Sequence, residues 1–241
     1  MSKILVDEFK QTRNFTKNID KQETIVYTEN ILKRLPESGN QTDKDIVVKQ
    51  TDTVSEILDY STDIKVAALN FADGYEPGGL VLKGATTQEE SICRSSNLYE
   101  SLILDICKQE YYKYNKDNFG NGKSSDRIIY TKNVYVFRGS NLRWLNADEC
   151  RFCDIITCPS PVVWTATEEE IMNRMLNIIK VADNNKVDVL ILGCWGCGAF
   201  GQSWSKFNEM WNTVIRDHKH NCKIVFAIMK SEYDRNKYFN E

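Results

Sequence analysis

Histidine is nearly missing from this 241-residue chain: there are two, His218 and His220, both in the polar stretch RDHKHN. That scarcity leaves little for a histidine-based metal site or a histidine-dependent nucleophilic triad. No apolar run approaches the ~20 residues that span a bilayer. The opening residues, MSKILVDEFKQTRN, lack the apolar stretch of an export signal. The chain is therefore expected inside the cell, in the cytoplasm or the nucleus, with no membrane partner. An excess of charge of either sign is lacking too. Lys and Arg number 31 against 34 Asp and Glu, a net charge of −3. The broad basic face that nucleic-acid binding needs is absent, and no direct sequence-specific nucleic-acid contact is expected.

Cysteine is not scarce, with eight in the chain. Without an export signal these thiols read as reduced rather than paired. Cys150/Cys153 and Cys194/Cys197 are each spaced C-x-x-C, so a four-thiolate zinc site is one reading. The stronger one makes Cys153 a small buried hydrophobe in the apolar run FCDIITC. In the turn GCWGCGAFG the backbone matters more than the sulfur. No metal and no cofactor is expected.

The pattern of apolar residues alternates strands with helices. Helical segments are predicted over 3–18 and 22–34, a strand over 46–50, a short helix over 53–60 and a strand over 64–70. A long helix over 88–111 carries Ile92, Leu98, Leu102, Ile103 and Ile106 on one broad face. An exposed loop, YNKDNFGNGKSSD (114–126), leads to strands at 127–137, with an interruption, and 152–158. Thr167, followed by three glutamates, caps a helix ending near Asn184. The apolar run VDVLILG, a helix over 205–218 and the final strand CKIVFAIM complete the layout. Buried strands alternating with helices predict an α/β domain of three layers around a mixed sheet.

In such folds ligands lie outside the carboxyl ends of strands, over glycine-rich turns. Two turns qualify: Pro77-Gly78-Gly79 after the 64–70 strand, and GCWGCGAFG after the 187–193 strand. Gly196 and Gly198, lacking Cβ atoms, let their amides approach phosphate oxygens closely. Neither turn carries the Lys-Ser/Thr of a P-loop, which counts against nucleotide hydrolysis. Gln88-Glu89-Glu90 opens the helix after the first turn. A phosphate cradle beside an acid suggests chemistry on a sugar linked to phosphates.

At these residues the chain resembles macrodomains, and more narrowly the bacterial-type poly(ADP-ribose) glycohydrolases. Their signature is a glycine triplet, a gap of several residues and Gln-Glu-Glu. Here Gly78-Gly79-Leu80 precedes Gln88-Glu89-Glu90, and NFA (70–72), GA (84–85), CRSSNLY (93–99), RIIY (127–130), VFR (136–138) and GCWGCGAFG (193–201) continue the match. Residues 1–45 resemble that group's N-terminal helical extension more weakly, with 46–241 as the macrodomain core. The resemblance implies cleavage of ribose–ribose O-glycosidic bonds in poly(ADP-ribose), free or attached to proteins, with release of ADP-ribose. It implies Glu90 as catalytic acid, with Glu89 and Gln88 placing the distal ribose and its neighbour. Asn70 would contact that ribose, and Gly78-Gly79 would pass close to the diphosphate. Gly196, Cys197, Gly198, Ala199, Phe200 and Gly201 would wrap the phosphates, Phe200 against the distal ribose. A single carboxyl suffices if the adjacent diphosphate steadies the oxocarbenium-like centre.

The match has departures. Leu80 stands where a third glycine is expected, a strained choice if that position needs a positive φ. Otherwise its side chain lies over the site. Gln202-Ser203-Trp204 replaces Asn-Asp-Pro after the second loop, and Lys230 replaces an acid after FAIM. No adenine-binding residue is therefore assigned. Two alternatives stand beside polymer hydrolysis: removal of single ADP-ribose units, and a macrodomain that binds ADP-ribose without cleaving it.

Overall fold

In the computed structural model, residues 2–37, 46–162, 164–198, 200–201 and 203–229 are described. The helices are α1 (Lys3–Thr16), α2 (Glu29–Leu32), α3 (Thr53–Leu58), α4 (Gln88–Ser95), α5 (Leu98–Leu102), α6 (Asp105–Cys107), α7 (Tyr114–Asn118), α8 (Glu168–Asn184) and α9 (Trp204–Asp217). The strands are β1 (Thr24–Tyr27), β2 (Ile46–Lys49), β3 (Val66–Phe71), β4 (Ile128–Val136), β5 (Arg151–Cys158), β6 (Val189–Leu192) and β7 (Lys223–Ala227). They form one seven-stranded sheet ordered β1-β4-β5-β3-β6-β7-β2. β4 runs antiparallel to β1 and β5, while the five strands from β5 to β2 are mutually parallel. The sheet is mixed, as expected, and the parallel strands all end on one edge.

β3 sits at the centre, and VAALN is buried throughout, the unbroken apolar run of a strand covered on both faces. Successive residues point to opposite faces. Ala67 and Leu69 join a core with Ile178, Met175, Phe207 and Trp211 from α8 and α9. Val66 and Ala68 join a second core with Phe9, Ile57, Ile92 and Leu98 from α1, α3, α4 and α5. These two cores make the three layers. Each fully buried Leu, Ile or Phe contributes about 1.5–3 kcal/mol.

Residues 22–34, expected to be helical, instead give β1 followed by the short α2. Thr24-Ile25-Val26-Tyr27 is a β-branched and aromatic run, and its register against Thr131–Ile128 satisfies the edge of the sheet. The helix expected over 88–111 is broken. Ser96 is extended and bridges Val136, while Asn97 exchanges bonds with Tyr135, donating N–H to Tyr135 O (3.3 Å) and accepting Tyr135 N–H at its Oδ1 (2.8 Å). Beyond α5 a π-helical stretch, Lys108–Lys113, runs into α7, so 114–118 is helix rather than loop. The interruption in β4 is real: the register shifts between Thr131 and Val134, with Asn133 at φ 50°. Thr167 and Glu170 form a reciprocal capping box at the start of α8.

α1 is tied to the sheet and to the first glycine loop. Arg138 at the end of β4 donates to Glu8 O (3.1 Å), to Thr12 Oγ1 (3.2 Å) and to the Glu8 carboxylate. Ser2 N–H donates to Gly84 O (3.1 Å). Among the described residues no helix is long and apolar enough to cross a membrane.

Candidate active site

The carboxyl ends of β3, β6, β7 and β2 face one cavity of about 600 Å³. Gln88, first residue of α4, is bound back onto the end of β3. Its Oε1 accepts Phe71 N–H (2.9 Å), and its Nε2 donates to Leu69 O (2.7 Å) and Thr53 Oγ1 (3.1 Å). Both ends of this amide hold protein. Gln88 thereby fixes the first turns of α3 and α4 side by side at the strand end.

That anchorage turns the next two residues inward. Glu89 is buried, its Oε1 accepting from Asn70 Nδ2 (3.2 Å) and its Oε2 from Asp73 N–H (2.8 Å). Burial pushes the Glu89 carboxyl well above the usual carboxylate range. The Asp73 N–H and Asn70 bonds pull it back, while the nearby Asp73 and Glu90 charges push it up further. Glu90 is also buried. Its Oε1 accepts Leu80 N–H (2.9 Å), and its Oε2 accepts the Thr87 hydroxyl. Asn70 is fully buried and donates additionally to Thr157 Oγ1 (3.3 Å). Its Oδ1 is buried and has no partner among the described residues.

The first glycine loop is shaped by these acids. Gly79 has φ 57°, and a Cβ there would lie 2.7 Å from Glu90 Oε1 and 2.9 Å from Glu89 Oε2. Gly78 has φ 68°, and its Cβ would meet the Tyr99 ring at 2.8 Å. Only glycine fits either place. Leu80 does not follow them: its φ is −101°, and no strain attaches to the leucine. Its N–H supplies the Glu90 bond while its side chain stays partly exposed. The third position is thus used through its backbone, which any residue other than proline carries.

The second loop follows β6. Trp195 is fully buried, and its indole N–H donates to Cys158 O (2.9 Å), anchoring the loop to the end of β5. Gly196 and Gly201 have φ 82° and 71°. Gly198 is different, because a Cβ there would meet nothing within 4 Å. Gly196, Gly198 and the half-buried Phe200 line the cavity together with Phe71 and Gln88. Cys197 is half-buried in the same loop. Ala199, Gln202 and Lys230 lie outside the described residues.

The structure thus brings Asn70, Gly79, Leu80, Glu89 and Glu90 together at the end of β3, while the cavity itself is lined by Gln88, Gly196, Gly198 and Phe200 and by none of those five. Asp52, Thr53, Ala227 and Met229 complete the cavity and were not singled out from the sequence. Asp52 caps α3 at the end of β2, the same strand-to-helix junction that marked the other two turns. Among the described residues no group of three or more His, Cys, Asp or Glu is placed to hold a metal ion, so the two C-x-x-C pairs do not converge.

The microbial-type poly(ADP-ribose) glycohydrolase (PARG) catalytic domain matches residues 7–139, more than half the chain, including the first loop and the acid pair. The chain belongs to that family. The chain is similar to the PARG of Thermomonospora curvata bound to the inhibitor ADP-HPD, at 28% identity over 92% of this chain and 82% of that one, TM-score 0.72. It is similar to the Deinococcus radiodurans PARG in complex with ADP-ribose, at 27% identity over 86% and 87%, TM-score 0.71. Among curated proteins no sequence match is found. The PARG family match ends before the second loop.

Proposed function

We propose that Glu90 is the acid through which this poly(ADP-ribose) glycohydrolase cleaves the ribose–ribose O-glycosidic bond and releases ADP-ribose. The observation that carries the assignment is the pairing of Glu90 Oε1 with Leu80 N–H across a loop whose Gly79 has no room for a Cβ. This fixes the buried carboxyl against the first glycine loop, one turn of chain from the cavity-lining Thr87 and Gln88. Glu90 would protonate the departing ribose oxygen, and the carboxylate so formed would deprotonate the water that attacks the anomeric carbon. Glu89 holds Asn70 and Asp73 in place, and the unpaired Asn70 Oδ1 suits a ribose hydroxyl.

The rest of the ligand follows from the lining. Gly196, Gly198 and the first turn of α4 present amides to a diphosphate, and Phe200 offers a ring face to the sugar. The Asp52 carboxylate, at the far end with Thr53 and Met229, accepts from an amino group such as that of adenine. In this reading residues 46–241 are the catalytic core, and residues 1–45 are an extension whose strand completes the sheet edge.

Glu90→Gln is expected to lower release of labelled ADP-ribose from polymer by roughly 10²–10⁴-fold, with ADP-ribose binding retained. Turnover near that of the wild type would remove Glu90 from the mechanism. Polymer binding without release in the wild type would leave a binder or a single-unit hydrolase. A chelator should leave the wild-type rate unchanged.

A further inference from the structure

Cys150/Cys153 and Cys194/Cys197 share one spacing, and the fold gives the two pairs opposite geometries. Cys153 and the two residues before it belong to β5. Three extended steps of about 3.3 Å each hold the Cα atoms of Cys150 and Cys153 about 10 Å apart. A disulfide needs them within about 7 Å, so this pair cannot join without breaking the strand.

The second pair folds back on itself. Cys197 N–H donates to Cys194 O (3.2 Å), the bond that closes a four-residue turn. Gly196, third in that turn, has φ 82°, the value a type II turn requires there. Such a turn brings its first and last Cα atoms within about 7 Å, and disulfides join Cα atoms about 4.4–6.8 Å apart. Both cysteines are thiols, Cys194 buried and Cys197 half-buried. Both also pack against the core formed with α8 and α9, so the two side chains reach one neighbourhood. Cys158, at the end of β5, is out of range: β3 lies between β5 and β6, and two strand spacings amount to about 10 Å.

This turn is also part of the cavity wall. Cys194, Gly196 and Gly198 line the cavity. The Cys197 thiol donates to Trp195 O (3.8 Å). Oxidation removes that donor, and drawing the Cys197 sulfur to that of Cys194 re-aims the amides of Gly196 and Gly198 on either side of Cys197.

We propose that Cys194 and Cys197 form a reversible disulfide with a peroxide as oxidant, and that this crosslink weakens ligand binding by the second glycine loop. The thiolate of Cys197, the more exposed of the two, attacks one peroxide oxygen. An S–O bond forms, the O–O bond breaks, and the departing hydroxide takes up the thiol proton as water. The Cys194 thiolate then attacks the sulfenic sulfur, forming the S–S bond and breaking S–O, and a second water leaves. Two thiols thus lose two electrons, and one peroxide becomes two waters. A dithiol reductant reverses the step by exchange. The weakened binding rests on reading this loop as the diphosphate cradle, whereas the disulfide does not.

For the test, the full chain is reduced, freed of reductant and treated with equimolar hydrogen peroxide. Peptide mass spectrometry locates any crosslink, and calorimetry gives ADP-ribose affinity before and after. The segment holding Cys194 and Cys197 should lose two hydrogens, with Cys150 and Cys153 remaining thiols. Affinity should fall by about ten-fold and return with dithiothreitol. Cys194→Ser should form no crosslink, and the same treatment should cost it less than about three-fold in affinity. Absence of the crosslink in the wild type overturns the proposal without any variant, as does one joining Cys150 to Cys153 in its place. An equal loss in Cys194→Ser would assign the effect to oxidation of Cys197 alone and overturn the switch. A crosslink with unchanged affinity would overturn its control of the site. Failure of the reduced protein to bind ADP-ribose would remove the functional reading, while the mass of that segment would still decide the disulfide.

Discussion

Glu89 is buried and accepts two N–H donors, from Asn70 and Asp73, and burial and hydrogen bonding oppose each other there. Burial wins, so its carboxyl titrates well above the usual range. The unfolded chain loses that proton near pH 4.3, while the folded chain keeps it. The folded state then binds more protons than the unfolded state, and stability must fall as pH rises from about 4.3 through the raised folded value. Glu89→Gln cannot titrate. Its stability relative to the wild type is expected to rise over that interval and level off above it, whatever the constant offset from altered hydrogen bonds. Urea midpoints between pH 5 and pH 8 measure this, and a pH-independent difference would refute it. The sequence exposed the acid pair but not the division of labour within it. That depends on Asn70 and Asp73 reaching Glu89 across the strand end while Leu80 and Thr87 reach Glu90. Leu80 teaches the reverse lesson: the residue looked like a defect, and only its φ of −101° removes the objection.

At the level of the elements, the two glycine loops look alike in sequence and differ in kind. Gly78 and Gly79 are required by their own protein, through positive φ and the side chains of Tyr99, Glu89 and Glu90. Gly198 is not, since its φ is not left-handed and a Cβ there touches nothing. Gly198→Ala should therefore leave stability unchanged or raise it by about 0.5 kcal/mol. If a ligand approaches that Cα, the same change should weaken ADP-ribose binding by about ten-fold. Thermal melts and calorimetry on one variant separate the two effects, and loss of stability with unchanged binding would assign Gly198 to the scaffold. Spacing alone would mislead here, because Gly196–Gly201 spells G-x-G-x-x-G on a strand order unlike that of a dinucleotide-binding domain. The expected elements failed where long-range pairing overrode local pattern. β1 exists because β4 needs an edge partner, and the 88–111 helix breaks where Ser96 and Asn97 bond to β4. Neither bond leaves a trace in periodicity.

Across the whole molecule, what was legible was the alternation of buried strands and helices, and with it the sheet, the layers and the edge that collects the site. The strand order and the set of elements that line the cavity were not legible, because both depend on which elements meet. Neither was the use of α1 as a wall. Leu5 enters the cavity while Ser2, Glu8 and Thr12 fasten the helix to Gly84 and Arg138. A segment only weakly suggested by resemblance thus supplies part of the cavity wall.

The burial of the thiols has a practical consequence. Seven of the eight are buried, and the eighth, Cys197, stands half-open between Gly196 and Gly198. A maleimide applied to the native protein should modify one site, identified by mass as Cys197, while denaturation releases the other seven. ADP-ribose should slow that modification by about ten-fold when saturating. Labelling at several sites would contradict the packing, and an unprotected Cys197 would place the ligand elsewhere. With protection, this loop holds a built-in reporter of occupancy, and an attachment point for an electrophile carried by a substrate-like molecule.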